Sequence, residues 1–243
     1  MRVVSFSPQE HDGRHSLTAA LTPIASSALK HRFTRRPPSP IHHRWIQAGR
    51  NACTLSWWRD CLTGVINVQV LIDCSGPPDE PKNEETGLYR KRDALLTQLE
   101  RRMALRTLVF CNTITACRQV ENILNRASRS GQFQTLVYHS AIDPKQAAEN
   151  MRQFMRSNAV SPMVMVCTDR SSRGMDFDRA EIEHVLLYDF PRDPIEYMRR
   201  VGRTARAGRK GVVTVLAWGR QVPLVREIMA GNKRGKRLLS LDD

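Results

Sequence analysis

The amino-acid sequence predicts an α/β fold in which helices cover both faces of a mainly parallel sheet. Short apolar runs, amphipathic stretches between them, and polar clusters directly after the runs together predict this fold. Apolar runs of roughly four to eight residues are typical of strands that are buried on both faces. When such strands alternate with helices, they favour parallel pairing through right-handed crossovers.

The chain enters this pattern at Asn67. Segment 67–105 begins with the apolar run of a short strand, continues through a Pro-rich acidic loop and ends in an amphipathic stretch. We interpret it as a linker with an entry helix. The main domain is then predicted over residues 106–243.

Five further apolar runs predict the strands of the main domain. They are RTLVFC (106–111), FQTLVYH (133–139), MVMVCT (163–168), HVLLYDF (184–190) and VVTVLAW (212–218).

Helices are predicted between the first three of these runs. TACRQVENILNRA, residues 115–127, places its apolar residues on one helical face. PKQAAENMRQFMR, residues 144–156, begins with proline at a first helical turn and carries an apolar stripe. The methionines of that stripe are interpreted as core residues.

Residues 1–66 differ from the rest and are predicted to form a disordered or targeting-like tail. They are rich in Ser, Arg, His and Pro, and the acidic residues of the first 45 are Glu10 and Asp12. This composition resembles an organelle transit peptide of a chloroplast or mitochondrion and has no apolar core of a secretory signal. A tail without an address, in a nuclear or cytoplasmic protein, and a segment foreign to the mature protein stay open as alternatives.

The formal net charge of +14 and the pI of about 10.2 point first to a polyanionic partner. No run approaches the ~18 apolar residues of a membrane span, so no membrane partner is expected. The six cysteines lack the two-residue spacing of zinc sites, so no metal site is predicted. Cys111 and Cys167 end apolar runs and are expected to be buried.

Polar loops follow the predicted strands at Cys111, Cys167 and Phe190. Chemistry gathers at the carboxyl ends of parallel strands, so these loops are the candidate sites. In the second loop, the backbone near Gly174 suits close approach of a phosphate, and Asp176 suits sugar hydroxyls. The alternative is that its Asp and Arg residues brace one another.

The third loop leads into an arginine-rich segment, YMRRVGRTARAGRKG, in which Arg200, Arg203 and Arg206 recur every three residues. This spacing places them on one side of a helical turn. An arginine fork can stabilise the charge of a transferring phosphoryl group. A solvated basic face and a localisation signal are the alternatives, although a localisation signal does not require the glycines at 202, 208 and 211.

Three segments in this order resemble motifs of the second RecA-like lobe of DEAD-box RNA helicases. LVFCNT is similar to motif IV, TDRSSRGMD to motif V and RRVGRTAR to motif VI. The resemblance covers most of residues 106–229, including the connecting segment YDFPRDPIEY, and implies a three-layer RecA-like domain. LIDCSGPPDE and Arg199 resemble a plant-type organellar subgroup.

The resemblance implies a role in binding ATP that is shared with a first lobe. Arg203 and Arg206 would be arginine fingers, catalytic residues that reach the γ-phosphate of ATP held on the opposite lobe. Asp176 would contact the ribose. Magnesium would be bound only through the first lobe.

The resemblance also implies contacts to RNA and between the lobes. The implied RNA-binding residues are Asn112, Thr113, Thr168, Asp169 and Gly174. Arg173 and Arg200 would join the two lobes.

Some positions depart from the family pattern. Arg199 stands where the family usually has histidine, which puts one contact between the lobes in doubt. Ser140, Pro144 and Ala147 stand where the family has the glycine of His-Gly and the glutamine and arginine of Q-x-x-R. One RNA phosphate contact is therefore expected to be missing.

The sequence contains neither a G-x-x-x-x-G-K-[ST] phosphate loop nor an Asp-Glu-Ala-Asp run. We therefore expect the chain alone neither to hydrolyse ATP nor to unwind duplexes. The leading hypothesis is the second lobe of an RNA helicase, acting with RNA and with a first lobe in cis or in trans. The alternative is a non-catalytic RNA-binding or regulatory module. A stand-alone nucleotide enzyme of another α/β family would need a phosphate loop that the sequence lacks.

Overall fold

The computed structural model describes residues 3–6, 68–77, 84–128, 131–156, 160–172, 177, 180–206 and 209–233. Three predicted site residues, Arg173, Gly174 and Asp176, lie outside these ranges. Most of the predicted tail also lies outside them, so its targeting role stays a prediction.

The described strands form one seven-stranded sheet in the order β1-β2-β7-β6-β3-β5-β4. The strands are Val3–Phe6 (β1), Val68–Asp73 (β2), Arg106–Cys111 (β3), Gln134–Tyr138 (β4), Met163–Thr168 (β5), His184–Leu187 (β6) and Val212–Ala217 (β7). β1 pairs antiparallel with β2, and the other neighbours pair in parallel. The carboxyl ends of β2 to β7 therefore meet at one edge of the sheet, which we call the carboxyl edge.

The helices are Glu84–Arg102 (α1), Ile114–Ala127 (α2), Pro144–Met155 (α3), Asp169–Ser172 (α4), Pro194–Val201 (α5) and Gln221–Lys233 (α6). The starts of α2, α3 and α5 are capped by Thr113, Asp143 and Asp193, whose side-chain oxygens accept backbone N–H groups of the first turn. Within the described residues, no helix combines the length and the apolar composition that a membrane span requires.

The helices cover the sheet as two outer layers, because alternate residues of each strand face opposite sides. Leu108 and Phe110 of β3 pack in a core that includes side chains of α3, α5 and α6. Val109 and Cys111 pack in the other core, with side chains of α1 and α2. The predicted three-layer α/β fold with a mainly parallel sheet is therefore confirmed.

The strand boundaries agree with the prediction at β3 and β5. β4 is one residue shorter at each end and β7 one residue shorter at its end than predicted, and the largest difference is at β6. The predicted strand 184–190 ends at Leu187, because the backbone N–H groups of Tyr188 and Asp189 both donate to the Phe110 carbonyl, at 3.1 and 3.3 Å. The structure also adds β1, which the composition of the first residues did not predict. The segment interpreted as linker and entry helix supplies β2 and α1. β2 pairs with β7 in the sheet, and α1 packs its side chains in one of the two cores.

Candidate functional site at the carboxyl edge of the sheet

Arg200 is the centre of the polar network at the carboxyl edge. Its side chain is fully buried, with 0% exposure, and its guanidinium carbon lies 5.5 Å from the centroid of the Phe110 ring. Nε donates to Oδ1 of Asp169 at 2.7 Å, and Nη2 donates to the other oxygen of that carboxylate. Nη1 donates to the Asp189 carbonyl and Nη2 to Oδ1 of Asn112, both at 2.6 Å. One arginine thus joins the ends of β3, β5 and β6.

These contacts bear on the role that the resemblance implies for Arg200. Each of its three side-chain nitrogens donates to a group of this same domain. A buried guanidinium is stable when its donors are satisfied in this way. The geometry favours a clamp inside the domain, and a contact of Arg200 with a second lobe stays a prediction.

Asn112 and Thr113 follow β3 and differ in accessibility. The side-chain amide of Asn112 donates to the Phe190 carbonyl at 2.9 Å while its oxygen accepts from Arg200. Thr113 is exposed, and its hydroxyl oxygen caps α2 by accepting the Ala116 N–H at 3.0 Å. The side chain of Asn112 is therefore bonded within the domain, whereas the side chain of Thr113 is accessible to a ligand.

Thr168 ends β5 and is buried. Its hydroxyl lies 3.0 Å from the hydroxyl of Ser171, which donates to the Tyr138 carbonyl at 2.7 Å. The ends of β4 and β5 are tied together by this pair. Contacts of Thr168 and of the ion-paired Asp169 with RNA stay predictions.

Asp189 is a positioning residue that the sequence interpretation missed. Its Oδ1 accepts from Nζ of Lys91 at 3.0 Å, and its Oδ2 accepts the backbone N–H of Asn112, also at 3.0 Å. The Lys91 ammonium also lies 5.1 Å from the centroid of the Tyr188 ring, and burial raises the pKa of Tyr188. The signal in the sequence was an acidic residue inside the otherwise apolar run 184–190, which was predicted to be a strand throughout. Its lysine partner lies 98 residues away and gives no local signal.

Arg203 and Arg206 stand on the turn after α5. The Gly202 N–H caps the helix by donating to the Met198 carbonyl at 2.8 Å. The guanidinium carbon of Arg203 lies 5.3 Å from the Phe177 ring centroid, and its Nη2 lies 3.5 Å from the Ser172 carbonyl. Nε of Arg206 donates to the Gly202 carbonyl at 2.6 Å.

The same turn explains one of the glycines in the arginine-rich segment. A Cβ on Gly211 would lie 2.2 Å from the Thr204 hydroxyl oxygen and 2.7 Å from the Ala205 nitrogen. Ala205 adopts a left-handed φ of 57°, and the Thr204 hydroxyl donates to the Ile182 carbonyl at 2.5 Å. The backbone therefore passes close behind the turn that carries the two arginines.

Arg199 lies on α5, and the other departures from the family pattern, Ser140, Pro144 and Ala147, lie near His139 and α3. His139 is buried, and its Nδ1 accepts the Ala141 N–H at 3.3 Å. Burial, followed by the charge of Arg118, lowers the pKa of His139. Ala147 lies in the first turn of α3 and offers no charge to a phosphate.

Among the predicted residues, the structure brings Asn112, Asp169 and Arg200 into one network. Arg203 approaches this network from the turn after α5, and it lines a small pocket together with Asp169 and the exposed Arg199. Arg206 stands on the next part of the turn. The site is therefore a set of guanidinium groups at the carboxyl edge, held by carboxylate and carbonyl oxygens.

Residues 90–208 match the family described as the helicase conserved C-terminal domain. The three-layer fold and this match define the class of protein as a helicase C-terminal domain.

The chain is 45% identical over 172 residues to the DEAD-box ATP-dependent RNA helicase 50 of Oryza sativa subsp. japonica. The match covers 70% of this chain and 26% of that relative, so the chain spans about a quarter of the relative's length. The chain belongs to the DEAD-box RNA helicases and holds their C-terminal RecA-like domain.

Solved structures agree with the fold. The chain of E. coli SrmB, solved bound to regulator of ribonuclease activity A, matches with a TM-score of 0.51 and 24% identity, over 65% of this chain and 81% of that chain. S. cerevisiae Dbp5, solved bound to RNA and ADP BeF3, matches with a TM-score of 0.51 and 20% identity, over 71% and 39%.

Proposed function

We propose that the chain is the half of an ATP-dependent RNA helicase that supplies positive charge to a triphosphate bound on a first lobe. The observation that carries the proposal is the position of Arg203 and Arg206. They lie three residues apart on one turn beside the carboxyl edge of the sheet. Arg200 and Asp169 hold the base of that turn in place.

The residues present fit one side of an ATP site. Guanidinium groups provide planar sets of donors that match phosphate oxygens. Bound ATP supplies the phosphoanhydride bond that is cleaved. Arg203 and Arg206 would place positive charge where negative charge develops, as arginine fingers do. The first lobe would supply the phosphate loop and the ligands of magnesium, which this sequence lacks.

RNA is the proposed substrate. The net charge of +14 favours binding to a polyanion, and Thr113 presents an exposed hydroxyl at the same edge. The rice relative is described as an RNA helicase, and the Dbp5 structure contains RNA. Thr168 and Gly174 would add contacts to the RNA backbone, and Asp176 would contact the ribose of ATP.

The experiment compares RNA-stimulated phosphate release by the chain alone and by the chain mixed with a separately expressed first lobe of the rice relative. The chain alone is expected to release no phosphate above background, because positioning of triphosphate, metal and water requires both lobes. The mixture is expected to regain RNA-stimulated turnover. Turnover by the purified chain alone would contradict the proposal.

A second candidate is a non-catalytic RNA-binding module. The observation that favours it is the combination of a high positive charge with a sequence that has no phosphate loop. RNA affinity measured against salt separates the two candidates. A steep salt slope with no effect of ATP, together with no turnover in the mixture, would favour the module.

A further inference from the structure

A solvent-facing groove runs between α1 and α2, on the outer layer of the domain. It has a volume of about 400 Å³ and is open along one side. Its walls are two helical stripes, each with the i, i+3, i+4, i+7 spacing of one helix face. The α1 stripe is Glu85, Leu88, Tyr89 and Arg92, and the α2 stripe is Gln119, Asn122, Ile123 and Arg126.

Most of each stripe lies apart from the faces that bury the two helices, and Ile123 is half-buried because it also packs against the core. The core face of α1 carries Leu95 and Leu99, and that of α2 carries Val120 and Leu124. Leu88 keeps 37% of its surface exposed and Tyr89 keeps 57%. Exposed apolar side chains that share one groove mark an interaction surface more than scattered ones do.

The two arginines of the groove differ in whether their side chains have a partner. The guanidinium of Arg92 lies 4.3 Å from the centroid of the Tyr89 ring and donates to the Asp93 carboxylate. The side chain of Arg126, on the opposite wall, makes no hydrogen bond or ion pair with any residue that the structure describes. The groove therefore combines the apolar surfaces of Leu88, Tyr89 and Ile123 with a guanidinium that can pair with a carboxylate.

We propose that the α1–α2 groove docks a short amphipathic helix of a partner protein, with aliphatic or aromatic side chains on one face and carboxylates beside them. Two parallel stripes with helical spacing can seat the apolar face of a third helix. Leu88 and Ile123 contact its apolar residues, and Arg126 pairs with a carboxylate. Gln119 and Asn122 are exposed amides that can bond its polar groups.

The lining disfavours RNA as the occupant. RNA binding depends on several cations along a phosphate track. Here Glu85 contributes a negative charge, and Asp93 offsets the charge of Arg92. One arginine beside Ile123 and two exposed amides matches an acidic amphipathic peptide better than a polynucleotide.

The test selects binders to the intact chain from a displayed library of random peptides of about 16 residues, roughly 24 Å of helix. The enriched peptides are expected to carry apolar residues with helical spacing and at least one carboxylate. A labelled synthetic peptide from the selection is then measured by fluorescence anisotropy. Its affinity should fall by about tenfold or more with Leu88→Asp and with Arg126→Glu.

Two variants provide matched controls. Val160→Asp makes the same change at a residue that is 97% exposed outside the groove, and Arg220→Glu reverses an exposed charge near the start of α6. Both should leave the affinity of the peptide unchanged. A peptide with lysine in place of its carboxylate should bind Arg126→Glu better than the original chain. Thermal unfolding of each variant checks that the fold is retained.

Three results would overturn the proposal. One is a selection whose peptides are insensitive to Leu88→Asp, and another is a set of basic peptides that Arg126→Glu strengthens. The third is displacement of the peptide by a single-stranded RNA whose own affinity falls with Leu88→Asp. None of these results depends on phosphate release, so the groove and the ATP-site proposal fail separately.

Discussion

Arg200 and Asp169 form a two-pronged ion pair in which the guanidinium is fully buried. The pair links α5 to the end of β5, and Arg200 continues to Asn112 and to the Asp189 carbonyl. Both residues of the pair line the same small pocket as Arg203. The position of the proposed arginine fingers therefore depends on a charge pair inside the domain.

Replacing Arg200 with glutamine should destabilise the domain strongly. The change leaves the carboxylate of Asp169 without its partner, and breaking a buried pair in this way costs about 3–5 kcal/mol. Urea unfolding followed by circular dichroism measures the loss. Arg199→Gln is the matched control, since that neighbour is exposed and should cost less than about 0.5 kcal/mol. Equal stability of the two variants would contradict a stabilising role of Arg200 inside the domain.

Replacing Asp189 with asparagine should also destabilise the domain. Lys91, whose side chain is 7% exposed, would lose its anionic partner. We expect a cost of about 1–3 kcal/mol, because a charged group is left unsatisfied. Asp93→Asn removes the carboxylate from the exposed pair with Arg92 and should cost less than about 1 kcal/mol. If both variants unfold at the same urea concentration, Asp189 has no positioning role.

His184 should make stability depend on pH. Its ring nitrogens face the hydroxyls of Thr107 and Thr214. Burial, followed by the charge of Arg102, lowers the pKa of His184 from 6.5 to about 3. Between these values the unfolded chain binds a proton that the folded chain does not. The part of the unfolding free energy that depends on a neutral His184 is therefore fully present above pH 6.5 and is lost as the pH falls towards 3.

The measurement compares unfolding of the wild-type chain and of His184→Gln at pH 7 and pH 5. The fall in unfolding free energy should be about 2 kcal/mol larger for the wild type. A glutamine does not titrate in this range, so the remaining pH dependence of both proteins is shared. Parallel curves for the two proteins would show that His184 does not carry the effect.

Gly211→Ala should disturb the turn at Thr204 and Ala205. The added Cβ meets backbone and a hydroxyl that is already bonded to Ile182, so relief requires the turn to shift. We expect a loss of about 1–3 kcal/mol, as for other overpacked sites. Gly231→Ala, where a Cβ would meet no atom within 4 Å, is the control and should be neutral or stabilising. Unfolding in urea of both variants checks this, and equal stability would argue against a tight turn.

Much of the fold could be predicted because burial on both faces of the sheet leaves a local pattern. β3 and β5 were predicted to the residue, since each is a continuous apolar run. β6 was predicted too long, because Tyr188 and Phe190 continue the apolar run after the ladder has ended. β1 has no such signal, since its pairing with β2 joins segments more than 60 residues apart.

The candidate site was predicted less completely. Motif order placed Asp169, Arg200 and Arg203 near the carboxyl ends of the strands. The structure has Asp169 directly after β5, Arg200 on α5 and Arg203 on the turn that follows α5. It could not show that Arg200 is buried, because arginine is mostly a surface residue and its burial depends on partners distant in sequence. The Lys91–Asp189 pair and the α1–α2 groove were missed because each is formed by residues from segments that are distant in the sequence.

The most direct test of the ATP-site proposal is the effect of Arg203→Ala on RNA-stimulated phosphate release by the chain mixed with a separate first lobe. Removal of an arginine finger is expected to lower the rate by about a thousandfold or more. Arg220→Ala, at an exposed arginine outside the site near the start of α6, should retain the rate within several-fold of the original chain. The proposal predicts that Arg203→Ala stays folded, which urea unfolding checks, yet loses turnover by this factor. Retention of the original rate by a folded Arg203→Ala variant would contradict it.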